Sequence, residues 1–265
     1  MYRVNEYRLY VLGQSLAALK HLGPGSAATD IWWALTAARR GLDEMLDDSL
    51  PYKVCRPALG ALVELIDEVL PRDHGAVTKD LALSDLDLVL SALDELEPVL
   101  AAEFDAMDTY VISQKGIFNT ADLIEQAYRF LPATAAIHLP RQCWVDLKEA
   151  GRCLAFDLDT ACGFHLMRAT EAAIHEYYVT VTGHAIKRKD RNWGAYVRNL
   201  NKHIKENQDS KADRKLIALI DQIREHHRNV LMHPEESLDP GQALGLFGIC
   251  QSAMIALARG IEAAK

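Results

Sequence analysis

The 265 residues are 49% hydrophobic and 25% charged, with a formal net charge of −8. That balance excludes a disordered or fibrous chain and leaves enough length for one or two helical domains with proper cores. No uninterrupted apolar run approaches the ~18–20 residues of a membrane span, and residues 1–6 are too polar to open a signal peptide, so a cytoplasmic protein without membrane contact is expected. The five cysteines are odd in number and scattered, and none forms a Cys-x-x-Cys pair. They read as reduced thiols, not as a disulfide framework or a zinc ribbon.

Taken in chain order, apolar spacing predicts helix after helix, an all-α fold class. Leu9, Leu12, Leu16 and Leu19 mark a helix over 4–21, stopped by Gly23-Pro24-Gly25. A second runs over 27–46 with Trp32 and Trp33 as core or interface residues. A third covers 56–70 and ends at Pro71, and a fourth covers 84–107, opened by Ser84 as N-cap. Residues 109–113 (Thr-Tyr-Val-Ile-Ser) read as the one extended segment. Thr120 is expected to cap a short helix reaching Phe130, closed by Leu131-Pro132, with a connector over 133–141. Five further helices are expected over 142–155, 160–182, 193–207, 209–232 and 240–264. The division expected is an acidic N-terminal helical domain over 1–131 and a second helical domain over 142–265.

Charge is unevenly spread. Residues 1–130 hold 11 Lys/Arg against 21 Asp/Glu, whereas residues 184–230 hold 12 against 6, a local excess of six positive charges. Local potential, not total charge, steers a polyanion, and Lys187, Arg188, Lys189, Arg191, Arg224 and His227 are the candidates for contact with RNA.

That basic stretch runs into Arg228-Asn229-Val230-Leu231-Met232-His233 and then Pro234. Five steps at about 100° each would set Arg228 and His233 on different sides of a continuous helix. Pro234 ends the helix and lets the histidine turn back beside the last turn. An arginine presents a planar fork of donors to a phosphate, a histidine exchanges a proton, and Asn229 adds a neutral donor. DNA lacks the internal 2′-hydroxyl nucleophile, so a metal-free site of this kind implies RNA. His226, His227, His233 and Glu235 match no zinc spacing, so neither metal nor cofactor is expected. On the helix over 160–182, Phe164, Arg168, Glu171 and His175 share one face. Arg168 and Glu171 read as an i,i+3 pair, and His165 and His175 as helix-face residues.

Arg228-Asn229-x-x-x-His233 resembles the R-x4–6-H signature of the HEPN superfamily. The segments Cys153-Leu154-Ala155-Phe156, 160–171 and Trp193-Gly194-Ala195-Tyr196-Val197 look like the family's early helix and the entry to the next. The resemblance spans roughly 142–262. It implies a HEPN-like bundle of four to five helices that forms a homodimer, setting two motifs face to face in a composite cleft. It implies a metal-independent endoribonuclease in a toxin, anti-phage or stress-response role, with an antitoxin or regulatory protein as further partner. Arg228, Asn229 and His233 take the motif positions and Glu171 the supporting acid. Where toxins of the family carry a tyrosine two residues after the histidine, this chain has Glu235. The alternative reading is a non-catalytic RNA- or protein-binding helical module.

Overall fold

The computed structural model describes residues 5–23, 25–47, 50–70 and 83–265, and no strand occurs among them. The all-α class follows. Contacts divide the chain into two compact units, 1–110 and 111–265.

The first unit carries α1 (Glu6–Lys20), α2 (Ala28–Met45), α3 (Arg56–Val69) and α4 (Leu83–Asp105). Apolar residues at i, i+3 and i+4 turn inward from each: Leu12, Leu16 and Leu19, then Leu35, Ala38 and Leu42, then Leu59, Leu62 and Ile66, then Val89, Leu93 and Leu96. Asn5 caps α1 by accepting the Tyr7 amide at 3.1 Å. Helix α3 has no side-chain cap of its own, and Glu103 of α4 supplies one across the fold. Its carboxylate accepts the amides of Lys53, Val54 and Cys55 at 2.5–3.0 Å. Against the burial that opposes ionisation, the Cys55 thiol and these amides draw Glu103 down to about 2. Trp33, expected in a core or interface, is exposed and meets Trp32 edge to face. Pro24, Pro71 and the side chain of Ser84, expected to punctuate these helices, lie outside the described residues.

The second unit begins with residues 111–114, which form no strand. Among the described residues they find no partner strand to supply ladder hydrogen bonds, and Lys115 and Phe118 form an isolated bridge. Helix α5 (Thr120–Gln126) is capped by Asn119, not Thr120, through the Asp122 amide at 3.0 Å. A 3-10 turn (Ala127–Phe130) and the short α6 (Ala133–Ala136) follow. Phe118, Leu123, Ala127, Leu131 and Ala135 belong to the core of this unit. Residues 111–131, given to the N-terminal domain on charge, are therefore packed with the second. The boundary moves because net charge describes solvated surface, while the apolar residues decide which core a segment joins.

Around that core pack α7 (Arg141–Ala155), α8 (Asp159–Thr182), α9 (Trp193–Glu206), α10 (Arg214–Ile223), the one-turn α11 (Asn229–Leu231) and α12 (Pro240–Ala264), with α8 against α7, α9 and α12. Trp193, Tyr177, Tyr196 and Phe247 are its largest buried side chains. Gly151 permits a close approach: a Cβ there would lie 2.4 Å from the Leu123 carbonyl oxygen and 2.6 Å from the Ala127 Cβ. Gly183, at φ 71, ends α8 in the left-handed conformation. Asp239 and Gln242 form a reciprocal capping box at the start of α12. By length and mean hydropathy α12 is long and apolar enough to cross a membrane, although polar residues such as Gln251, Ser252 and Arg259 interrupt its apolar run. Its Leu246, Phe247, Cys250, Met254 and Leu257 are buried in the second core.

The segment expected as one helix over 209–232 starts later and changes pitch. Asp213 caps α10 by accepting the Lys215 amide at 2.8 Å. Arg224–Arg228 then forms a π-turn, in which the Asn229 amide bonds back five residues to the Arg224 carbonyl. Residues 229–231 resume the α pitch. A π-turn accommodates one extra residue without moving the apolar faces on either side, so Ile220 and Ile223 before it and Leu231 after it all stay buried.

Candidate functional site

The π-turn aims Arg228 at α8. The Arg228 Nη2 lies 3.7 Å from the Glu171 Oε2, with the two side chains 26% and 29% exposed. This is an ion pair, longer than a hydrogen bond. Burial pushes the Glu171 carboxyl above its ordinary value of 4.5, opposed by the Arg228 charge and by the Trp193 indole N–H. The indole nitrogen of Trp193 is fully buried and closes no hydrogen bond, so its contact with Glu171 is a loose one. A half-buried acid and arginine that do not saturate each other leave the guanidinium with donors for an anion.

Asn229 and His233 are exposed. His233 sits just past the helix end, its amide bonded to the Val230 carbonyl at 3.0 Å and its own carbonyl accepting the Glu236 amide at 3.1 Å. The turn expected at Pro234 thus forms at once. No hydrogen bond or ion pair among the described residues joins His233 to Arg228 or Glu171, so the structure brings Arg228 to Glu171 but leaves His233 apart.

The basic candidates divide in the same way. Lys187, Arg188, Lys189 and Arg191 are exposed on the connection between α8 and α9, with a 3-10 turn at Arg188–Asp190. Arg191 donates through Nε to the Ile186 carbonyl at 3.0 Å. Arg224 is largely committed, bonding Asp221 at 2.7 Å and Glu225 at 3.0 Å. A Cβ at Gly194 would lie 3.2 Å from the Arg198 Nη1 and 3.7 Å from the Arg224 Nη1, so two guanidinium groups converge over the first turn of α9. Burial, and then the adjacent His226, hold the His227 imidazole below its usual value. Among the described residues no group of three potential metal ligands occurs.

Arg168 does not pair with Glu171. Its Nε and the Nδ1 of His165 both lie 3.0 Å from the Oδ1 of Asp146, a carboxylate only 2% exposed, whose Oδ2 accepts from Gln142 at 2.7 Å. Asp146 went unnoticed in the sequence, although a signal was there. It occupies a position on the buried stripe of α7 that runs through Cys143, Leu147, Ala150 and Leu154, and an acid on such a stripe requires a partner.

No protein-family model matches the chain, and neither a curated protein nor a solved structure matches it.

Proposed function

We propose that this chain is a metal-independent endoribonuclease of the HEPN type, acting as a homodimer on RNA such as tRNA or mRNA in a toxin, anti-phage or stress-response setting. Arg228 holds the phosphate and stabilises charge on the phosphorane, His233 exchanges a proton, Asn229 assists and Glu171 orients Arg228. The observation that carries this reading is the half-buried Arg228 on a π-turn beside Glu171, in a basic stretch of an acidic chain. π-Turns concentrate at functional sites, and a partly desolvated guanidinium attracts phosphate more strongly than one in bulk water. The exposed His233 is open to an RNA strand, and in a homodimer to a second copy of the motif.

Cleavage of total tRNA and of a single-stranded RNA in EDTA, comparing wild type with Arg228→Ala and His233→Ala, tests the assignment. Wild type should leave 2′,3′-cyclic phosphate ends, and each variant should lose on the order of 100-fold in rate. Cutting that requires an added divalent ion, or that survives both substitutions, would overturn it. The separation of His233 from Arg228 favours a second reading, a non-catalytic RNA- or protein-binding module. That reading predicts salt-dependent RNA binding without cleavage, weakened when Lys187, Arg188, Lys189 and Arg191 are neutralised.

A further inference from the structure

Cleavage of RNA without metal needs two proton transfers, one from the attacking 2′-hydroxyl and one to the departing 5′-oxygen. Each copy of the motif carries one histidine, so the second proton-transfer group comes either from the partner copy or from elsewhere in the same chain. The face of α8 that carries Glu171 also carries His175, one turn further on, and residues at i and i+4 stand about 5–6 Å apart at their Cβ atoms. We infer that His175 is a second acid–base residue of this site, taking the proton from the 2′-hydroxyl, with Tyr196 as the residue that positions it. This inference rests on the endoribonuclease reading.

The geometry supports it. His175 is half-buried between α8 and α9, and its Nδ1 lies 3.1 Å from the Tyr196 Oη. The two rings meet tilted, with centroids 5.7 Å apart. In the tautomer with the proton on Nδ1, the imidazole donates to Tyr196 and its Nε2 keeps a free lone pair. The groups around it come from three elements: Glu171, Glu176 and Tyr178 on α8; Tyr196 on α9 with Arg191 just before it; and Arg228 from the π-turn, across Glu171. Burial, and then the Arg191 charge, keep the His175 imidazole below the ordinary histidine value, against the pull of Glu176. That shift favours the unprotonated imidazole, the form a base requires. Burial keeps Tyr196 protonated. Arg198, beside Gly194 in the helix that carries Tyr196, offers a place for a flanking phosphate.

The step balances. The Nε2 of His175 takes the proton of the 2′-hydroxyl and O2′ bonds to phosphorus, with Arg228 on the non-bridging oxygens. The P–O5′ bond breaks, and the 5′-oxygen takes a proton from the His233 imidazolium. The products are a 2′,3′-cyclic phosphate and a 5′-hydroxyl, with no co-reactant.

The test pairs cleavage of single-stranded RNA in EDTA with binding of an uncleavable 2′-O-methyl oligoribonucleotide, for wild type, His175→Gln and Tyr196→Phe. His175→Gln should cut at least about 100-fold more slowly while binding the oligonucleotide as wild type does. The acid limb of the wild-type rate profile should fall below about 6.5, the ordinary histidine value. In Tyr196→Phe that limb should move lower still, because the imidazolium loses the acceptor for its Nδ1–H. A wild type that cuts alongside an equally active His175→Gln overturns the inference and leaves the endoribonuclease reading standing. Slow cutting traced wholly to lost oligonucleotide binding, or an acid limb unmoved in Tyr196→Phe, overturns it as well. A wild type that cuts nothing overturns the endoribonuclease reading and this one with it.

Discussion

At the scale of single residues, the balance between burial and pairing at Glu171 has a consequence for stability. Its folded-state value lies above the 4.5 of the exposed carboxyl because burial outweighs the Arg228 charge. The native state therefore keeps a proton over a window that opens at 4.5, where the unfolded chain has lost it. Stability falls as pH rises through that window. Glu171→Gln removes the titrating group, so its stability relative to wild type should climb from pH 4 toward pH 8. Urea unfolding across that range checks this, and parallel curves for the two proteins would sink it. The motif Arg228-Asn229-x-x-x-His233 was legible in the sequence, because an arginine, an amide and a histidine before a proline are local facts. That Arg228 meets Glu171, and that Arg168 turns instead to Asp146, was not. Side chains four residues apart or fewer can be placed from helix geometry, whereas partners 22 or 57 residues away require the fold.

At the scale of elements, the helices stand close to where apolar spacing sets them, and α12 coincides with its expected span. The exceptions have local causes. Asn119 outcompetes Thr120 as a cap because its carboxamide reaches the Asp122 amide. Residues 109–113 have the β-branched and aromatic content of a strand, but a strand is completed by its neighbour and none is present among the described residues. The π-turn is invisible to periodicity, because the extra residue is absorbed with the apolar faces unchanged. Close packing of α7 on α5 gives a sharp prediction. Gly151→Ala sets a methyl group 2.4 Å from a backbone oxygen that no rotamer change can move away. It should destabilise the second unit by about 2 kcal/mol or more, read as a lower urea midpoint. An unchanged midpoint would mean that α5 does not press on α7 as described. Gly163→Ala meets only the ends of Leu231 and Leu238, at 2.7 Å, and should cost less.

On the scale of the whole molecule, the two cores share no residue, so the second unit should fold without the first. A fragment of residues 111–265 should be helical by circular dichroism and unfold cooperatively. One beginning at residue 132 loses Phe118, Leu123 and Ala127 from its core and should unfold at lower denaturant or aggregate. If the shorter fragment proves as stable as the longer, the division near Tyr110 is misplaced.

Composition and periodicity alone determined the all-α class, most helix spans and the position of the arginine–histidine motif, because helical order is written in residues three and four apart. Tertiary structure decided which core takes residues 111–131, where the charged partners of α8 lie, and that the helix before His233 widens into a π-turn. Each of these depends on what stands opposite a residue across the bundle, and that information lies far away along the chain.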